Sequence, residues 1–176
     1  MDEAPHAAGD ESHVTTETPW LLFGPSQLPY RILLLAKMID RATAQHVRAT
    51  ANLSLAEWRV LTHVDMIGQC RATEVASAAF VDRAEVSRAI SSLAERGLVH
   101  RVPNPQSRKS SLISLTLAGK SVHATVRGER GQFFEQWLTD LDPQQRAAID
   151  AGLRKMMQRI VETVPAKADS SDRDPV

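Results

Sequence analysis

Leu28, Ile32, Leu35, Ile39 and Ala42 fall at spacings of four, three, four and three, the period of one helix face, and predict a helix over about 28–48. Leu33, Leu34 and Met38 widen this stripe beyond what one neighbouring element needs. Ser54-Leu-Ala-Glu57 reads as a capping box, in which the Ser hydroxyl accepts the Glu57 amide and the Glu carboxylate accepts the Ser54 amide. A second helix therefore starts there and ends near Gly68. Thr73 is the candidate cap of a short third helix, and Asp82 caps a fourth, where its charge also suits the positive helix start. Val86, Ile90 and Leu93 give the fourth helix an inward stripe, and Gly97 offers a left-handed stop that lets Leu98 pack back on Leu93.

Beyond Gly97, the run HRVPNPQSRKSSLISLT reads as two strands around a polar, cationic turn. Two helices joined by a tight turn and followed by a basic hairpin describe a winged helix-turn-helix, whose second helix enters the major groove of duplex DNA. A long helix over about 117–138 carries Val122, Val126, Phe133 and Trp137. Asp142, with Pro143 at the first helical position and Gln145 at the third, then opens a last helix over about 143–163, with Ile149, Leu153, Met156, Ile160 and Val164 on one stripe. The predicted fold is mainly α with a small β-wing: a DNA-binding lobe over about 54–116, and a helical dimerisation region built from the first helix and the last two.

The formal net charge of zero argues at first against a polyanionic partner, but the charge is unevenly placed. Residues 1–18 carry Asp2, Glu3, Asp10, Glu11 and Glu17 and no Lys or Arg, while residues 165–176 carry a net −1, which leaves 19–164 at +6. A cationic body between acidic ends suits a nucleic-acid binder. Both ends, poor in large apolar groups, read as disordered tails. The segment TPWLLFGPSQLP sets Trp20, Leu21, Leu22 and Phe23 between prolines and is expected to pack onto the body. The single cysteine, Cys70, excludes an internal disulfide framework and suits a reducing compartment. The acidic N-terminus is unlike a signal peptide, and the longest aliphatic run, 32–36, is far short of the roughly 18 residues of a membrane span. These features predict a soluble, cytoplasmic protein.

LSLAEWRVL opening the second helix, VDRAEVSRAISSLAERGLVHR as recognition helix and strand, and SLTLAGK after the hairpin resemble the MarR family of bacterial transcription regulators. The resemblance spans roughly 28–162 and is most specific over 81–119. It implies a homodimer in which the terminal helices of two chains interlock. It also implies a regulator, more often a repressor than an activator, released from its operator by a small phenolic or other aromatic ligand bound between the dimer region and the DNA lobe.

On the fourth helix Ala84, Ser87, Arg88 and Ser91 point away from the inward stripe. Short side chains let the helix approach base edges, and an arginine there can bond bidentately to guanine O6 and N7. Arg83 in the first turn is placed for a base or a phosphate, and Thr73 joins the DNA-contacting candidates. At the hairpin tip, Arg108 and Lys109 are placed for the minor groove or for phosphates. The resemblance breaks here, because the family's wing carries Asp-x-Arg where this chain has Ser107, Arg108 and Lys109. No carboxylate braces the arginine, and Lys cannot form a planar bidentate fork, so wing contact is expected to be mostly electrostatic.

Effector chemistry points to His46 on the stripe of the first helix, to Trp58, Arg59 and His63 on the second, and to Trp20 as a further aromatic wall. Aromatic surfaces with one or two cationic or hydrogen-bonding groups are what an aromatic acid needs. An alternative switch uses Cys70, whose pKa the neighbouring Arg71 would lower, although relatives that sense oxidants place their cysteine near the start of the first helix. A second alternative, a winged-helix module that binds protein and not DNA, is separated by the salt dependence of duplex binding. No CxxC, HExxH, glycine-rich phosphate loop or Gly-x-Ser-x-Gly elbow occurs, so neither an enzyme, a metal site nor a cofactor is expected.

Overall fold

In the computed structural model, residues 27–107 and 110–164 are described. The sequence expectations for the two acidic tails, for Trp20 and its apolar segment, and for Arg108 and Lys109 at the hairpin tip lie outside the described residues. The elements run α1 (Leu28–Ala51), α2 (Leu55–Ile67), α3 (Ala72–Ala79), α4 (Arg83–Glu95), β1 (Val99–Pro103), β2 (Ser111–Leu115), α5 (Leu117–Glu135) and α6 (Pro143–Thr163). A 3-10 turn, Gln136–Leu138, follows α5, which therefore stops short of the expected 138 as an α-helix. α1 runs three residues beyond the expected 48 and ends on Asn52 in the left-handed conformation, φ 51°. Chain contacts divide the protein after Val126, within α5, into two compact units.

The first unit holds α1 to β2 and the start of α5. Leu53, Leu61, Ile90, Leu93 and Ile113 fill its core, with Val47 of α1 and Val126 of α5 also fully buried. The strands pair antiparallel in register from Val99 opposite Leu115 to Pro103 opposite Ser111. Cys70 adds a one-residue third strand: its N–H donates to Ile113 O at 3.2 Å, and the Ile113 N–H donates to Cys70 O at 2.8 Å. Ser54 and Glu57 form the expected capping box. Asp82 Oδ1 accepts from the amides of Ala84 and Glu85, as its position predicts. Thr73 does not cap α3: Arg71 holds that position, its amide donating to Glu74 Oε2 at 2.6 Å and its guanidinium to Glu74 Oε1 at 3.0 Å. A glutamate that reaches back over one turn satisfies the first amide without a short cap side chain.

Both helices of the helix-turn-helix close in the same way. After α4, Leu98 N–H donates to Leu93 O and Gly97 N–H to Ala94 O, with Gly97 at φ +67°. After α3, Val81 N–H donates to Ala76 O and Phe80 N–H to Ser77 O, with Phe80 itself at φ +52°. This paired closure needs one left-handed residue, a conformation that costs any side chain but glycine's. Phe80, 97% exposed, gains no burial to offset that cost. Thr116 then joins the end of α4 to the start of α5, its hydroxyl donating to Gly97 O at 2.7 Å and accepting from Gly119 N at 2.9 Å.

The second unit holds the end of α5 and all of α6. Asp142 and Gln145 form a capping box around Pro143, as the spacing predicts. Arg146 donates to Leu138 O at 2.6 Å and Leu141 O at 3.0 Å and pairs with Glu135, satisfying the carbonyls left open where the chain turns. Phe133 and Trp137 meet edge-on at 4.8 Å, and the Arg130 guanidinium lies 4.4 Å above the Phe134 ring. Along α6, Ile149, Leu153, Met157, Ile160 and Val161 are all exposed. No described helix is long and apolar enough to cross a membrane.

Candidate nucleic-acid interface

The two faces of α4 separate by chemistry. Val86, Ala89, Ile90 and Leu93 are buried, whereas Arg83, Ala84, Ser87, Arg88 and Ser91 are all exposed, so the five candidates from the sequence share the solvent face of one helix. Ser91 donates its hydroxyl to Ser87 O at 3.1 Å, which folds it against the helix and keeps the surface low. Thr73, the second residue of α3, is also exposed. The wing has a brace the sequence did not reveal. Asn104 Oδ1 accepts the Gln106 amide at 2.9 Å while its Nδ2 donates to Ser110 Oγ at 2.7 Å, closing the hairpin tip from both sides.

A groove of about 580 Å³ runs along one flank of α4, between Glu85, Arg88, Ala89, Ser92 and Arg96 on that helix and the α1–α2 junction opposite. Arg96 donates to Asn52 O and Ala51 O, both at 3.1 Å, fastening the end of α4 to the last carbonyls of α1. Glu57 lies buried at its base. One carboxylate oxygen accepts the Ser92 hydroxyl at 2.6 Å and lies 3.5 Å from the Arg96 guanidinium, and the other accepts the Ser54 amide at 2.6 Å. Burial alone would raise the Glu57 pKa, but the bonds from Ser54 and Ser92 and the Arg96 charge outweigh it and hold the carboxyl below its ordinary value. Glu57 is visible in the sequence as half of a capping box; its second partnership, 35 residues away in the chain, has no local signal.

The effector candidates are only partly brought together. Trp58 is 4% exposed and stacks on His123 at 5.1 Å, so its ring is core and not an open wall. His123, which the sequence reading passed over, is itself buried, with Nδ1 3.3 Å from Asp65 Oδ2. Arg59 turns to α1, where one guanidinium nitrogen lies 2.8 Å from each oxygen of Asp40. His63 Nδ1 meets Arg59 O at 2.7 Å, and His46 is half-buried on α1.

Cys70 departs from its expectation. It is 1% exposed within the sheet, and burial, followed by the nearby Glu74 charge, raises its pKa. Arg71, expected to lower that pKa, is engaged with Glu74 instead. The thiolate that oxidation requires is disfavoured here.

Known proteins agree with this architecture. The MarR family profile matches residues 51–110. An HTH-type transcriptional regulator of Bacillus subtilis, YxaD, is 25% identical over 118 residues, 67% of this chain and 82% of its own. Wild-type MarR from E. coli in its apo form superposes with a TM-score of 0.66 at 21% identity, covering 77% of this chain and 97% of that one. Bordetella bronchiseptica BpsR, whose DNA binding is regulated by 6-hydroxynicotinic acid, gives 0.61 at 25% identity, covering 72% and 98%. With the recognition helix, the wing and these relatives in agreement, residues 51–110 match the MarR family and the chain as a whole is similar to winged-helix transcriptional regulators.

Proposed function

We propose that the protein is a homodimeric repressor that reads an operator through α4, touches flanking DNA through the wing, and leaves it when a small aromatic compound binds. The observation that carries this reading is the division of α4 into a buried apolar face and an exposed face of Arg83, Ala84, Ser87, Arg88 and Ser91. A helix with that surface fits a major groove, and Arg88 is the group with bidentate reach to guanine. Arg108 and Lys109 supply the wing's charge. Dimerisation covers the apolar residues left exposed on α1 and α6, among them Leu28, Leu35, Ile149 and Ile160. The protein acts in the cytoplasm, where its operator is.

BpsR supports the aromatic effector, because its DNA binding responds to an aromatic acid. In this chain such an acid engages His46, His63 and Arg59, displacing Asp40 from the guanidinium. Arg88→Ala tests the core of the reading. Against an operator found by binding-site selection, the variant loses ten- to a hundredfold in discrimination, as expected for about 1–3 kcal/mol per bidentate contact. Full discrimination by Arg88→Ala, measured by fluorescence anisotropy against a scrambled duplex, would overturn it.

A further inference from the structure

The groove beside α4 adjoins the exposed recognition face, and Arg88 belongs to both. An α-helix with its side chains is about 10–12 Å across and the major groove about 12 Å wide, so a seated recognition helix brings its flanks against the two phosphate backbones. The flank lined by Glu85, Arg88, Ser92 and Arg96 therefore faces a backbone, and across the groove from it stands Arg48, in the last turn of α1. The first turn of α2 opens into the same space and adds the positive end of a 13-residue helix. The charge of Glu57 is already taken up by Ser54, Ser92 and Arg96, which leaves Glu85 as the opposing carboxylate.

We propose that this groove seats a backbone phosphate of the bound duplex, with Arg48 as its principal ligand, so that the long N-terminal helix contacts DNA directly. The inference rests on the reading of α4 as the recognition helix. It also ties α1 to the backbone: a shift of α1 relative to the lobe moves Arg48 away from the phosphate.

The test is Arg48→Gln in the full chain, with duplex affinity followed across a salt series for the selected operator and a scrambled duplex. Arg48 is exposed and, among the described residues, its side chain bonds only to that of Asn52, at 3.3 Å, so the variant keeps its fold, which an unchanged melting temperature verifies. The slope of log K against log salt becomes shallower by about 0.9 for each Arg48 seated, equally on both duplexes, and Arg48→Lys restores it. An unchanged slope overturns the proposal, and a loss confined to the operator overturns it too, by making Arg48 a base reader. If the unaltered protein binds duplex without salt dependence, the recognition-helix reading itself fails, which is a separate result.

Discussion

Gly119 shows how a single hydrogen atom can be required. A Cβ built there would lie 1.9 Å from the carbonyl oxygen of Leu98, where α5 begins against the end of α4. That oxygen is backbone and already accepts the Thr116 amide, so it cannot swing aside. Gly119→Ala should cost about 3 kcal/mol, the upper range for overpacking, read as a lower urea midpoint. Gly128→Ala, also in α5 but with nothing within 4 Å of its Cβ, should instead gain roughly 0.5–1 kcal/mol of helix propensity. If the two substitutions moved the midpoint alike, the contact with Leu98 would not matter. Residues that act locally were legible from the sequence: Ser54, Asp82, Gly97 and Asp142 each cap the element their position predicts. Gly119 was not, since its constraint comes from a carbonyl 21 residues earlier in the chain.

Elements were legible wherever an apolar period and a cap agreed, and less so where a bond crosses between helices. The Glu57–Ser92–Arg96 cluster joins the start of α2 to the recognition helix, and through Asn52 and Ala51 to the end of α1. Its titration has a definite sign. The Glu57 pKa is lower folded than unfolded, so its contribution is fully present above the unfolded value, near 4.3, and is lost as pH falls through the folded one. Wild-type stability should therefore fall more steeply below pH about 4.5 than that of Glu57→Gln, which lacks the titrating group, while at neutral pH Glu57→Gln is the less stable protein. Chemical denaturation from pH 3 to 7 measures both, and parallel curves would show that Glu57 does not stabilise this junction. The surroundings of the effector candidates were hidden for a related reason. Helix spacing places Trp58, Arg59 and His63 on α2, but not the His123 ring that covers one or the Asp40 carboxylate that holds another.

At the scale of the whole molecule, the widened stripe of α1 was the clearest signal for a partner, and the structure leaves it unsatisfied. Only Thr43 and Val47 of α1 are buried, while Leu28, Leu33, Leu35 and Met38 stay between 43% and 52% exposed. α6 buries none of its residues, and five of its large apolar side chains are exposed. Apolar side chains exposed in a row along a helix mark a surface for a partner, and apolar area removed from water returns about 25 cal/mol per Å². A partner that interlocks both helices needs the same pattern on its own surface, which a second copy supplies by symmetry. Sedimentation at micromolar concentration should give twice the 19.4 kDa chain mass. The doubly charged variant Leu153→Glu/Ile160→Glu, altered at two exposed positions, should sediment as a monomer and lose operator affinity, because a dimer engages two half-sites about one helical turn apart and a monomer only one. A wild-type chain that sediments as a folded monomer while holding its operator would remove the dimer, and with it any release that works by changing the spacing of two recognition helices.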